Sequence, residues 1–144
     1  MTKDVLVTVK GLQYSLDGEG GDDQRIETIT RGNYYLKNGK HYVTYEESPD
    51  GSVNIKTMLK FDESFFELTR KGQYSVHMLF EEGKKNYTDY RTPFGNFVVG
   101  IDTSLIDIKE KEKEILLHID YDMDMNYEHL AKCNIDVCIQ NVEE

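Results

Sequence analysis

The strongest constraint on this fold is a period of two in the placement of apolar side chains. Ile115, Leu117, Ile119, Tyr121, Met123 and Met125 occupy alternate positions. His118, Asp120, Asp122 and Asp124 fill the gaps, with Leu116 the one apolar residue among them. Ala131, Cys133, Ile135, Val137 and Ile139 repeat the pattern against Lys132, Asn134, Asp136, Cys138 and Gln140. Successive side chains of an extended chain point to opposite sides, so each segment has one apolar and one polar face. Antiparallel strands with one face in a core and the other in water have this form.

The alternation recurs along the chain. Val5, Val7 and Val9 carry it, as do Val53, Ile55, Thr57, Leu59 and Phe61, then Tyr74, Val76, Met78 and Phe80, then Phe97, Val99 and Ile101. Ile26 and Ile29 flank a short strand of less definite register. Turn residues separate the runs. Asn38-Gly39 lies between Tyr34–Lys37 and Lys40–Glu47, and this dipeptide suits a type I′ hairpin because both positions need positive φ. Pro49-Asp50-Gly51 and Glu82-Gly83 are further turns, and the acidic, glycine-rich stretch Asp17–Asp23 reads as a loop. About 8–11 short strands follow, the spacing of a sandwich or barrel. Thr103–Leu117 is the one competitor for helix, with Leu105, Ile108 and a Lys-Glu run, and Ser104 before Asp107 as a start signal. The alternation beginning at Ile115 favours a hairpin turning near Glu110-Lys111, with at most a short helical turn.

A chain of 144 residues suits one domain, residues 1–144, and is long enough to hold a core without disulfide or metal. Ten Tyr and six Phe argue against disorder. Acidic side chains number 27 against 17 basic ones, a formal net charge of −10. That balance argues against nucleic acid and anionic membranes as partners, since both are bound through Lys and Arg. Cys133 and Cys138 fall in one predicted strand. Five extended residues span roughly 16 Å, too far for a disulfide, and odd and even positions face opposite sides. The expected compartment is therefore a reducing cytoplasm. The N-terminal apolar run, Val5-Leu6-Val7, is too short for a signal sequence, and no run reaches membrane-spanning length.

The order of motifs resembles a known family. Gly32-Asn33-Tyr34-Tyr35 leads through Asn38-Gly39 to Tyr42-Val43-Thr44-Tyr45-Glu46-Glu47. Thr69-Arg70-Lys71-Gly72, Met78-Leu79-Phe80-Glu81-Glu82-Gly83, Tyr90-Arg91-Thr92-Pro93-Phe94-Gly95 and Ile101-Asp102-Thr103 follow, before the final long hairpin. This is similar to the YwiB-like proteins of Gram-positive bacteria, a family of unknown function, over nearly the whole chain. The resemblance implies an antiparallel up-and-down barrel of the calycin or lipocalin kind. It implies no activity and assigns no catalytic residue.

Candidate chemistry is sparse. Asp120, Asp122 and Asp124 superficially suggest a calcium loop, yet counting from Asp120 places Met125 and Ala131 where a glycine and a glutamate are needed. Counting from Asp122 places Tyr127 and Cys133 there. A solvated strand face accounts for these aspartates. Gly18, Gly20 and Gly21 lack phosphate-loop spacing and a following helix. His41, His77, His118 and His129 show no zinc spacing, and only His118 and Asp120 form a same-face pair. No cofactor motif is present. Of the cysteines, Cys138 on the polar face is the better candidate for reactivity.

The most informative set is Glu46-Glu47 with Arg70. A glutamate pointing into an apolar barrel needs a cationic partner, which Arg70 or Arg91 could supply. Tyr34, Tyr35, Tyr42, Tyr45, Tyr87 and Tyr90 are candidates for lining a pocket, and equally ordinary strand formers. Tyr45, Glu46, Arg70, Tyr90 and Arg91 are thus the expected ligand-binding residues, for a small apolar or amphipathic ligand. The alternative is a filled barrel acting in assembly, as a homodimer or with a protein partner. Phe65-Phe66 with Leu68, and Met78-Leu79-Phe80, are apolar on both faces and could supply that patch. An enzyme ranks last, because no triad, metal or cofactor signature is present.

Overall fold

Residues 1–11, 27–47, 54–72, 75–92 and 95–142 are described by a computed structural model, with the backbone alone for 90–92. The predicted features at 17–23 and 49–51, together with Ile26, Val53, Tyr74, Pro93 and Phe94, lie outside the described residues. Among the described residues there are ten strands: β1 (Asp4–Lys10), β2 (Glu27–Lys37), β3 (Lys40–Glu47), β4 (Ile55–Phe61), β5 (Phe65–Lys71), β6 (Val76–Glu81), β7 (Lys85–Thr92), β8 (Gly95–Glu110), β9 (Glu114–Met125) and β10 (Glu128–Asn141). No helix occurs among the described residues. The segment with helical signals is the end of β8 and the start of β9, a hairpin in which Lys111 N–H donates to the Glu114 carbonyl at 2.8 Å.

The strands form one sheet in the order β6-β5-β4-β3-β2-β1-β10-β9-β8-β7, every ladder antiparallel. Consecutive strands therefore pair, except that β6 and β7 stand at the two ends of the sheet while β1 pairs with β10 and joins the two halves of the meander. The ends of the sheet then meet. Asn86 Nδ2 donates to the Leu79 carbonyl at 3.3 Å, Gly83 N–H to the Thr103 carbonyl at 2.8 Å, and Ile106 N–H to Glu82 Oε1 at 3.2 Å. Phe80 of β6 packs edge-on against Tyr121 of β9, centroids 4.9 Å apart. The result is a nearly closed barrel, its seam between β6 and the β7–β8 edge.

Alternation decides the inside. Val5, Val7, Val43, Leu59, Phe61, Phe66, Leu68, Phe80, Ile119, Ile135 and Ile139 are fully buried. The hairpin at Asn38-Gly39 has φ of 53° and 76°, the twist that a tight antiparallel turn demands. The β9–β10 turn is less expected, with φ of 49° at Asn126 and 69° at Tyr127. Asn126 tethers that turn by donating N–H to the Val98 carbonyl at 2.8 Å and accepting Val98 N–H on its side chain at 3.0 Å.

β2 departs from its sequence reading. It is one strand of 11 residues, and Ile29 lies on its outer face, 59% exposed. Thr28, Thr30, Gly32 and Tyr34 face inward instead, because their register partners across β1 include the buried Val5, Val7 and Val9. Short polar residues thus line part of the interior, and a hydrophobicity pattern cannot see them. Phe65 and Leu79, read as surplus apolar residues, lie half-buried on the outer face.

Candidate functional site

The register stacks the inward residues of β2–β6 in rows. Toward the Asn38-Gly39 end, His41, Phe61, Phe66 and Phe80 pair across successive strands. Their rings stand 4.9, 6.1 and 5.7 Å apart in order, and Phe80 continues to Tyr121. The next row, Tyr34, Val43, Leu59, Leu68 and Met78, is apolar. The third is not: Gly32, Tyr45, Thr57, Arg70 and Val76. Beyond it Glu47 pairs with Ile55. The interior therefore grades from an aromatic plug to a polar end.

At that polar end Thr57 is 2% exposed. Thr57 Oγ1 and Glu47 Oε1 are buried with no hydrogen-bond partner among the described residues. Burial raises the Glu47 pKa, and the nearby Arg70 guanidinium opposes that shift without cancelling it. A buried polar atom without a partner costs about 1–3 kcal/mol, so two of them side by side require an explanation.

The residues expected from sequence divide across the barrel wall. Tyr45 and Arg70 point inward in one row, whereas Glu46 points outward and Glu47 takes the inward position. Parity held the signal, since Glu47 and the buried Tyr45 are two apart. The Tyr90 and Arg91 side chains lie outside the described residues, and their backbones pair with Phe97 and Asn96.

A second cluster plugs the other end. His41 Nε2 lies 2.8 Å from Glu110 and Nδ1 lies 2.6 Å from the Tyr34 hydroxyl. The carboxylate can only accept, so Nε2 donates to it, and Nδ1 shares a hydrogen bond with the Tyr34 hydroxyl. Burial, then the Glu110 charge, raises the Tyr34 pKa. These residues are 7 and 69 positions from His41, and sequence spacing does not connect them.

On the outer face each expected aspartate has a histidine or lysine neighbour. Asp120 lies 2.9 Å from His118 Nε2, Asp122 lies 3.4 Å from His129, and Asp124 pairs with Lys85. Among the described residues no group of three or more His, Cys, Asp or Glu side chains is placed to hold a metal. His118 also meets Asp136 through Nδ1 at 2.6 Å. Two carboxylates demand two N–H donors, so the ring is an imidazolium, and the Asp136 hydrogen bond raises its pKa most. A raised folded pKa gives stability that is full below the unfolded value near roughly 6.5 and is lost as pH rises through the folded value. His118→Gln is therefore expected to flatten the loss of stability above neutral pH, followed by urea midpoints across pH 5.5–9. An unchanged slope would refute the pairing.

Cys133 and Cys138 form no disulfide among the described residues, as their spacing required. Cys133 packs with the core beside Tyr121, whose pKa burial raises. Cys138 lies outside near Glu114, and burial and then that carboxylate push its thiol up, which lowers its thiolate fraction and reactivity.

A third feature is a groove of about 560 Å³ on the outer face of β2–β5, lined by Arg31, Glu46, Lys56 and Lys71 and by Asn33, Thr44, Met58 and Thr69, with Gly32, Tyr45 and Thr57 of the same barrel wall also bordering it.

The architecture defines the class: an antiparallel up-and-down β-barrel of ten strands. Residues 7–137 match the family described as "Domain of unknown function (DUF1934)", and the chain belongs to that family. It is 29% identical over 119 residues to the uncharacterized β-barrel protein YwiB of Bacillus subtilis strain 168, covering 81% of this chain and 83% of that protein. The crystal structure of the ywiB protein from Bacillus subtilis superposes with a TM-score of 0.77 at 25% identity, covering 98% of this chain and 93% of that one. None of these descriptions names a ligand or an activity. Among the described residues no helix is long and apolar enough to cross a membrane.

Proposed function

We propose that this protein is a non-enzymatic binding barrel that takes one small amphipathic ligand at the polar end of its interior. The observation that carries the reading is the pair of buried atoms without a hydrogen-bond partner among the described residues, Thr57 Oγ1 in the row of Tyr45 and Arg70 and Glu47 Oε1 beyond it, at the polar end of the lumen. A head group that both donates and accepts, such as a hydroxyl or an amide, would give a proton to Glu47 and receive one from Arg70. Its apolar part would lie toward Val7 and Val76, which are buried nearby. The aromatic plug limits the ligand to a fraction of the barrel's length. Two cysteines on opposite faces of β10, not bridged to one another, support a reducing, cytoplasmic setting.

Native mass spectrometry of the purified protein, before and after organic extraction, tests this reading. The expected result is a co-purifying small molecule that rebinds to the emptied barrel. Thr57→Val should weaken rebinding about fivefold and leave the empty protein as stable or slightly more so, because an unsatisfied hydroxyl has been removed. An empty barrel that ignores a panel of fatty alcohols, amides and acids would sink the proposal.

A further inference from the structure

The outer groove has a charge pattern that folding does not require. The chain carries a net −10, yet three cations line this groove against one carboxylate, Glu46. Lys56 and Lys71 stand directly opposite each other on β4 and β5, an arrangement that repels. Glu46, opposite Lys56 on β3, reaches it only at 4.0 Å. Arg31 and Lys71 have no carboxylate within 4.0 Å among the described residues. Because Gly32 pairs with Tyr45, Arg31 falls one step away beside Glu46, and Arg31, Glu46, Lys56 and Lys71 form a single row across four strands. The adjacent row is Asn33, Thr44, Met58 and Thr69, each opposite the next. It supplies hydrogen-bonding groups around one apolar side chain.

From this we infer a second binding site, on the outer face of the barrel wall, for a small phosphate ester that bears hydroxyl groups. A guanidinium fork flanked by two ammonium groups matches a phosphate dianion. Glu46, embedded among those cations, accepts hydrogen bonds from hydroxyls, while Asn33, Thr44 and Thr69 meet the remaining polar atoms. A volume of about 560 Å³ suits a ligand the size of a sugar phosphate or a mononucleotide. The net negative charge of the whole molecule opposes a long polyanion and leaves a compact one as the better fit. Glu46 was singled out in the sequence as a ligand contact, and this face gives it that role from outside the barrel.

Isothermal titration with ribose 5-phosphate, adenosine 5′-monophosphate and inorganic phosphate, each at low ionic strength, tests the site. Both esters should bind saturably at one site and more tightly than inorganic phosphate. Tighter adenosine 5′-monophosphate would assign a nucleotide, and equal affinities a sugar phosphate. Arg31→Gln and Lys71→Gln should each weaken ester binding about tenfold. Lys71→Gln should also raise the melting temperature of the free protein, since a repulsion is relieved. Glu46→Leu, which removes the acceptor, should erase the preference for esters over inorganic phosphate. Ester binding unmoved by Arg31→Gln and Lys71→Gln, or no saturation at millimolar concentration, would overturn the proposal. An ester preference surviving Glu46→Leu would overturn the hydroxyl assignment.

Discussion

Phe66→Ala is expected to destabilise the fold by about 3–5 kcal/mol, the range for removing a fully enclosed aromatic side chain. Phe66 is 0% exposed and stands between Phe61 and Phe80, with centroids 6.1 and 5.7 Å away. Deleting the ring removes buried apolar area and leaves a hole that neighbours on fixed strands can only partly close. The ladder above and below it is continuous, since Phe61 pairs with His41 and Phe80 reaches Tyr121. For a chain of this length the melting temperature should fall by roughly 10 °C. Phe66→Leu, which keeps most of the volume, should lose less than about 1.5 kcal/mol. Urea denaturation of both variants checks the contrast. An alanine variant that loses no more than the leucine one would mean that this end of the barrel is loosely filled, and the ligand could then occupy its whole length.

The plug matters for function because it makes the barrel one-ended. Packed rings and aliphatic groups fill the two rows nearest the Asn38-Gly39 turn, where the polar atoms of His41 and Tyr34 bond each other and Glu110, whereas the Tyr45, Thr57 and Arg70 row leaves Thr57 Oγ1 without a partner among the described residues. A guest therefore has to bring its own polar group to Glu47 and Thr57 rather than slide through. This separates the proposal from a generic lipid tunnel. It also explains why large inward residues on β9 and β10 are compatible with binding: they fill space that the ligand does not need.

How much was legible follows from what alternation can encode. A period of two names the inner face wherever that face is apolar, so β4, β6, β9 and β10 were readable residue by residue. It fails where the inner face is small and polar. On β2 the inward positions are Thr28, Thr30, Gly32 and Tyr34, and the most hydrophobic residue nearby, Ile29, points outward. Bulges are equally silent: the register slips between Thr103 and Leu105 and between His129 and Ala131 without any Gly or Pro to announce it. The Asn126-Tyr127 turn was missed because tyrosine at positive φ is not a turn signal. The candidate site was half visible. Tyr45 and Arg70 could be named, but they meet through Thr57, which lies 12 and 13 residues from them in the chain and becomes their neighbour only through the β3–β4–β5 ladder. The outer groove depends wholly on that same register, because Arg31 and Lys71 are ordinary surface charges until four strands bring them into line.

Gly32→Ala is the second large effect, expected to cost about 1–3 kcal/mol, as inserting a methyl into a closed contact does. A Cβ at this position would lie 2.6 Å from the Thr44 backbone carbonyl, 3.2 Å from Val7 Cγ2 and 3.3 Å from Tyr45 Cβ. The first of these is a backbone atom of the paired strand, so no rotamer change can relieve it. β2 and β3 would have to part locally, straining the hydrogen bonds that hold Gly32 opposite Tyr45. Reduced backbone entropy in the unfolded chain would offset only about 0.4–1 kcal/mol. The same movement displaces Tyr45 on the inside and Asn33 and Thr44 on the outside, because alternate residues of one strand serve the two faces. Binding at the interior site and at the groove should therefore weaken together in this variant, whereas Thr57→Val and Lys71→Gln should each affect one site alone. Retained stability with both ligands bound normally would show that β2 and β3 can separate there at no cost, and the close approach at Gly32 would lose its role in shaping either site.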